Sequence, residues 1–286
     1  MAHHNLEETK EDLDLDFIAR AEKVTSFNLD VADFKKTKNK LDIQYLYAKN
    51  VLNGDFDKTI SGKKDMTSTQ NISQTNNIIN AMKKNSNFEK VYREAVGTNA
   101  SAFGPGELMF YLIFDEVTLG GSASGDIRGL KKMYELKSAN LVDGAYTNIN
   151  FGTNVKQGFS EVADELVELA KELEVRDITR TTMNTKPLQE LKKAANTKEN
   201  KELGFSERYD KIIDKFVKTA NDNYIKKHSI IILRNDKGKP DYANIKGVIP
   251  SDISLAKLKK MLIIKNVTGG TMKPAIQETE LKNFNG

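Results

Sequence analysis

The sequence predicts an α/β (α+β) fold in which a central mixed sheet is flanked by helices and preceded by a helical N-terminal extension. Three observations predict it. Apolar residues recur at helical spacing before residue 97 and again after residue 155. Ser229-Ile230-Ile231-Ile232-Leu233-Arg234 is a continuous apolar, β-branched run of strand length. Between 104 and 139 an apolar helix gives way, through glycine, to short strands.

The elements follow in chain order. Residues 1–12 are polar and acidic and are expected to form a disordered tail. Residues 13–97 form a helical N-terminal region. Its first part places Phe17, Ile18, Ala21 and Val24, then Leu41, Tyr45, Leu46 and Val51, at helical spacing. The basic run from Phe34 to Lys40 between them reads as a solvated face. Residues 54–74 are rich in Ser, Thr, Asn and Gly and are expected to be a long polar loop. From Asn76 to Val96 the helical pattern resumes with Ile78, Ile79, Met82, Phe88, Val91 and Tyr92. A break at Asn85-Ser86-Asn87 would split it, with Ser86 or Asn87 as N-cap.

Residues 98–286 are expected to form one α/β domain. Gly106 to Val117 is a strongly apolar helix, and Gly120 to Gly125 a Gly/Ser turn. Two short strands, Asp126–Arg128 and Lys132–Ala139, are joined through Gly129. A polar loop at 148–154 leads to a helix from Val155 to Glu174, with Phe159, Val162, Leu166, Leu169 and Leu173 on one face. Helices at Leu188–Ala195 and Glu207–Lys226 precede the 229–234 strand. Tyr242–Ile249 returns as a strand after a turn at 235–239. A short helix at Ser254–Lys260, capped by Ser251 or Ser254, and a strand at Met261–Val267 complete the pattern.

Composition narrows the chemistry. The chain of 286 residues has no cysteine, which excludes disulfides, thiolate–zinc sites, iron–sulfur clusters and thiol nucleophiles. His3, His4 and His228 are dispersed, so neither a histidine-rich zinc site nor a Ser-His-Asp triad is expected. Any metal would sit on oxygens, which selects Mg²⁺, Mn²⁺ or Ca²⁺. A net charge of +4 permits a local nucleic-acid surface without arguing for one. No apolar run approaches membrane-spanning length, and the acidic N-terminus lacks a signal-peptide core. A cytoplasmic protein with no membrane partner is the expectation.

One constellation carries chemistry. Residues two apart on a strand share a face, so Glu135 and Lys137 project together while Tyr134, Leu136 and Ser138 face the other way. Leu136 would face the core. Asp126, on the preceding strand, could lie alongside Glu135, and two such carboxylates can share a hard cation. Glu107, in the first turn of its helix, could complete the metal shell, although a carboxylate there also suits the helix dipole. Lys137 could orient an attacking water or steady charge on a phosphate. The plainer account is a surface ion pair between Glu135 and Lys137, with Asp126 a turn residue.

The phrasing Gly104-Pro105-Gly106-Glu107, Gly125-Asp126-Ile127 and Tyr134-Glu135-Leu136-Lys137 resembles the PD-(D/E)xK nuclease superfamily, which has a restriction-endonuclease-like core. In that family an acidic residue on the first core helix precedes an Asp on one strand and an (Asp/Glu)-x-Lys on the next. The resemblance covers about residues 103–175 and matches Glu107, Asp126, Glu135 and Lys137 to that pattern. Lys156 and Gln157 match the place after the Glu-x-Lys strand where the family often carries a polar helper. Only a Gly/Ser turn is expected between the helix and the Asp strand, where many such cores have a full hairpin strand.

The resemblance implies a Mg²⁺- or Mn²⁺-dependent deoxyribonuclease, an endonuclease rather than an exonuclease. Asp126, Glu135 and Glu107 would hold the metal, Lys137 would assist the water, and Gln157 would support the site. It also implies DNA as partner, a homodimer for cutting both strands, and a phage or mobile-element origin, hence a host-cell cytoplasm or virion location. Two alternatives stand beside it: a non-enzymatic virion or assembly protein with phage-assembly partners, and a catalytically silent nucleic-acid-binding relative.

Overall fold

The structure is a computed structural model, described here for residues 17, 19–25, 56, 69–84, 86–99, 102–114, 116–120, 125–142, 145–146, 149–151, 159–180, 182–183, 185–236, 244–267 and 271–277. In chain order its elements are α1 (Thr69–Lys83), α2 (Ser86–Asn99), α3 (Pro105–Ile113), β1 (Thr118–Leu119), β2 (Ile127–Arg128), β3 (Met133–Val142), β4 (Ala145–Tyr146) and β5 (Ile149–Asn150). Then come α4 (Phe159–Glu172), α5 (Thr185–Ala195), α6 (Lys198–Glu202), α7 (Phe205–Asn223), a 3₁₀ turn (Ile225–Lys227), β6 (Ser229–Asp236), β7 (Ile245–Ile249), α8 (Leu255–Met261), β8 (Leu262–Val267) and β9 (Thr271–Ile276). The fold is mixed α+β, as the sequence predicts. Two units divide the chain: Met1–Leu141 with Ser229–Ile249, and Val142–His228 with Pro250–Asn285.

The first unit is built on a mixed sheet in the order β1-β2-β3-β6-β7. β1, β2 and β3 are antiparallel neighbours, β3 and β6 run parallel, and β7 returns antiparallel to β6. Parallel neighbours need a long crossover; the chain between β3 and β6 supplies most of the second unit. One face of this sheet meets α1, α2 and α3 in a single core that includes Ile78, Met82, Phe88, Tyr92, Leu108, Phe110, Leu112, Tyr134, Ile231 and Leu233. The alternation explains which strand residues take part. Tyr134 lies in register with Ser229, and Leu136 with Ile231, so Tyr134, Leu136, Ile231 and Leu233 share the inner face.

Two features outside the sheet lock this unit. Arg20 donates from Nε to the Tyr111 carbonyl at 2.9 Å and from a terminal nitrogen to the carbonyls of Phe114 and Val117. Its guanidinium also lies 4.0 Å from the centre of the Tyr111 ring. A cation here meets carbonyls at and just beyond the C-terminal end of α3 and suits the negative end of the helix dipole. At the sheet edge the Asn76 amide pairs with the backbone of Ile245, accepting from its N–H at 2.7 Å and donating to its carbonyl at 2.9 Å. A side chain thereby takes the place of a further strand beside β7.

The structure differs from the sequence expectation at several boundaries. α1 begins at Thr69, inside the expected polar loop 54–74: Thr69 to Thr75 holds no Gly or Pro, and Ile72 packs against the core. Phe56, in the same stretch, is fully buried. α3 ends at Ile113 and not at Val117, because Phe114 is already extended (φ −115°, ψ 112°). The short strand β1 stands where only a Gly/Ser turn is expected, with Thr118 opposite Arg128 and Leu119 opposite Ile127. The split of the 76–96 helix is observed, as α1 and α2. The expected helices at 26–53 lie outside the described residues.

The second unit pairs α4 with α7 and adds a three-stranded antiparallel sheet in the order β5-β9-β8. Phe159 and Phe216 meet with ring centroids 5.4 Å apart. The carboxylate face of α4 is matched by cations: Glu161 and Glu165 pair with Lys215, Glu172 with Arg208, and Asp164 with Arg180. Such exposed pairs contribute little, so burial of Val162, Leu166 and Leu169 is the main support of this helix. α6, β5 and β9 are not expected from the sequence. α6 is a single capped segment in which the Thr197 hydroxyl accepts from the Asn200 N–H, and Gly204 then turns the chain at φ 82°. Ser254, not Ser251, caps α8. Among the described residues no helix is long and apolar enough to cross a membrane.

Candidate functional site

The site lies wholly within the first unit, where the start of α3 meets β2 and β3. Gly104 is the N-cap, Pro105 the first helical residue and Glu107 the third. Proline suits that first position because its missing N–H would have no helical partner. The Glu107 carboxylate reaches back to the Gly104 N–H, half of a capping box. Gly106 sets how closely the helix approaches the sheet. A Cβ there would lie 2.5 Å from a Leu233 methyl and 3.2 Å from one of Leu136. Hydrogen at this position thus lets Glu107 stand over β3.

Asp126 is the residue just before β2. Continuing the register in which Ile127 faces Tyr134 puts Asp126 opposite Glu135. Its N–H donates to the Tyr134 carbonyl at 2.9 Å, and its Oδ2 accepts the Leu136 N–H at 2.6 Å. Glu135 and Lys137 share a face, with Lys137 Nζ 2.6 Å from Glu135 Oε1 and both side chains about four-fifths buried. Leu136 faces the core between them.

Gly120 holds Asp126 from the other side. Its N–H donates to the Asp126 carbonyl at 2.9 Å, and a Cβ there would fall 2.0 Å from the Gly125 carbonyl oxygen. That clash is with backbone and has no flexible end to move. Gly120→Ala is therefore expected to part β1 from β2 and to cost about 2–3 kcal/mol, the range of overpacking and strain. A urea titration measures it; a midpoint within error of the parent would show that the two segments do not approach as described.

Electrostatics tie the four groups together. The Glu107 carboxyl is pushed up from 4.5 to about 7. Burial is the main cause; Asp126 and, less strongly, Glu135 add repulsion, while the Gly104 N–H and Lys137 oppose the rise. Since the folded value exceeds the unfolded one, the fold retains a proton that the unfolded chain releases, and stability falls as pH rises from about 4.5 to about 7. Glu107→Gln removes that loss. Discounted for partial exposure, it is expected to gain about 1–2 kcal/mol at pH 8 relative to pH 4 in EDTA. Equal effects at both pH values in denaturant titrations would refute it.

Three oxygen donors, from Glu107, Asp126 and Glu135, suit a hard divalent cation, whose charge would relieve the repulsion that raises Glu107. As the side chains stand, no three acidic or histidine groups among the described residues are arranged to hold an ion. Of the residues predicted from sequence, Glu107, Asp126, Glu135 and Lys137 come together. Gln157, with Lys156, lies outside the described residues. The sequence reading missed the positioning roles of Gly106 and Gly120, whose signal is a glycine flanking each acidic segment. Comparison with family models, curated proteins and solved structures found no match.

Proposed function

We propose that this chain is a metal-dependent nuclease that hydrolyses DNA phosphodiester bonds, an endonuclease in preference to an exonuclease. One observation carries the reading: at one end of the sheet, burial and then repulsion from Asp126 and Glu135 push the Glu107 carboxyl up to about 7, with Lys137 beside it opposing the rise. Groups perturbed by burial and by a specific charged partner cluster at functional sites. The helix-then-three-strand order also supports it, since β1 supplies a hairpin partner for β2.

In this reading Asp126, Glu135 and Glu107 would hold Mg²⁺ or Mn²⁺, which supplies charge stabilisation at the phosphate and acidifies an attacking water. The Leu136 N–H keeps the Asp126 carboxylate turned toward β3. Lys137, released from Glu135, would place an ammonium beside the phosphate and orient the attacking water. The helix start at Glu107 adds a positive dipole end near the same point. In-line displacement requires no covalent intermediate.

A second reading, a catalytically silent nucleic-acid-binding relative, draws on the 2.6 Å contact between Lys137 and Glu135, which gives both residues a structural purpose. Incubation of plasmid and single-stranded DNA with Mg²⁺ or Mn²⁺ separates the two. Metal-dependent cutting that EDTA stops is the expected result. No cutting with either metal would leave the silent reading.

A further inference from the structure

We infer that the segment of α8, β8 and β9 in the second unit binds the phosphate backbone of nucleic acid, irrespective of base sequence. Nucleic acid as the partner rests on the nuclease reading; the binding segment rests on its own charge. From Ile253 to Gln277 the chain has five lysines and no acidic residue, more positive charge than the net +4 of the whole chain. Lys259 is held by Asp214 at 2.7 Å, with Asp210 at 3.8 Å. Among the described residues no ion pair involves Lys257, Lys260 or Lys273. Lys257 and Lys260 are exposed on α8. Register sets Lys265 on β8 directly opposite Lys273 on β9.

Like charges at facing positions destabilise a strand pair, so this hairpin holds an arrangement that folding does not favour and that an anion relieves. A lysine on an edge strand discourages pairing with another chain, which gives Lys265 a purpose of its own. Lys273 has no such purpose, because β9 is the middle strand of its sheet. The hairpin's apolar residues Leu262, Ile264, Ala275 and Ile276 are all buried. An acidic protein would thus meet cations with little apolar area beside them, whereas a phosphate backbone is matched by the cations alone. The same 25 residues include no aromatic side chain to stack on a base, which leaves the backbone as the part recognised.

The test uses the full chain in EDTA, so that binding is read without cleavage, and the anisotropy of a fluorescein-labelled duplex over a series of KCl concentrations. Lys257→Gln/Lys260→Gln/Lys265→Gln/Lys273→Gln should weaken binding about a hundredfold and flatten the slope of log affinity against log salt by about 3.6, at about 0.9 per phosphate contact. Lys257→Gln/Lys260→Gln alone, at two exposed positions, should flatten it by about 1.8 and keeps the test readable if the hairpin changes disturb folding. Lys192→Gln/Lys193→Gln/Lys198→Gln/Lys201→Gln makes the same change in net charge as the first variant. It should keep the parent slope, because those exposed lysines stand among Glu190, Glu199 and Glu202. Circular dichroism melts confirm that each variant folds. Failure of the parent to bind, an equal loss in the α5–α6 control, or displacement of the DNA by polyglutamate as readily as by unlabelled DNA overturns the inference. Cutting with Mg²⁺ by the parent, with parent-like binding by the first variant, would sink this surface and leave the nuclease. Lysine-dependent binding without cutting would sink the nuclease and leave the surface.

Discussion

Glu135→Gln is expected to lower Mg²⁺-dependent DNA cleavage by about a thousandfold or more while the protein stays folded. The substitution preserves shape and removes the charge that a hard cation needs. Lys137→Met should lower it by about a hundred- to a thousandfold, the range for loss of a proton-transfer or charge-stabilising group. The two changes should not add, because the residues act as one unit and lie 2.6 Å apart. Either change removes the 2.6 Å ion pair between two mostly buried side chains, with a stability cost of about 1–3 kcal/mol. Activity must therefore be compared well below the melting point. Should both variants cut at the parent rate, the pair is an ordinary structural contact and the enzyme proposal fails.

That expectation was legible because it needs only local geometry. Strand alternation puts Glu135 and Lys137 on one face and Leu136 on the other whatever the rest of the chain does, and the structure has this arrangement. Glu107 at the start of α3 follows from Pro105 and the apolar helix behind it. The buried run at β6 is readable for a similar reason, since a parallel central strand is apolar on both faces. Its partner is not readable. The parallel match of Glu135 to Ile230 joins residues separated by most of the second unit, and nothing local selects it.

Three strands are not readable either. β1 and β5 have two residues each, too few to show a period, and β9 carries Lys273-Pro274 in its middle. Gly120 and Gly106 look like turn punctuation, yet each permits a close approach that holds an acidic residue in place. The signal was present; its meaning depended on which segment would come near.

Phe56 is the residue whose role the sequence hid most completely, and its replacement has the largest stability effect expected here. A lone aromatic between Asp55 and Asp57 in a polar stretch carries no period. In the structure it is 1 % exposed and meets Phe110, Phe114 and Tyr134 with ring centroids at 5.7, 5.0 and 5.4 Å. Its N–H donates to Glu116 Oε2 at 2.8 Å. Phe56→Ala should cost about 3–5 kcal/mol, the transfer of a large ring plus the cavity it leaves. At about 2–4 °C per kcal/mol for a chain of this size, melting should fall by roughly 10 °C. Phe56→Leu keeps most of the volume and should lose about a third as much. Tyr134 precedes Glu135 on β3, so the ring cluster backs the candidate site. Its effect on cleavage should still appear only near the lowered melting point, because the cluster lies on the opposite face from Glu135 and Lys137. Calorimetry of the two variants decides the matter. A melting curve for Phe56→Ala that overlays the parent's would place this ring outside the core.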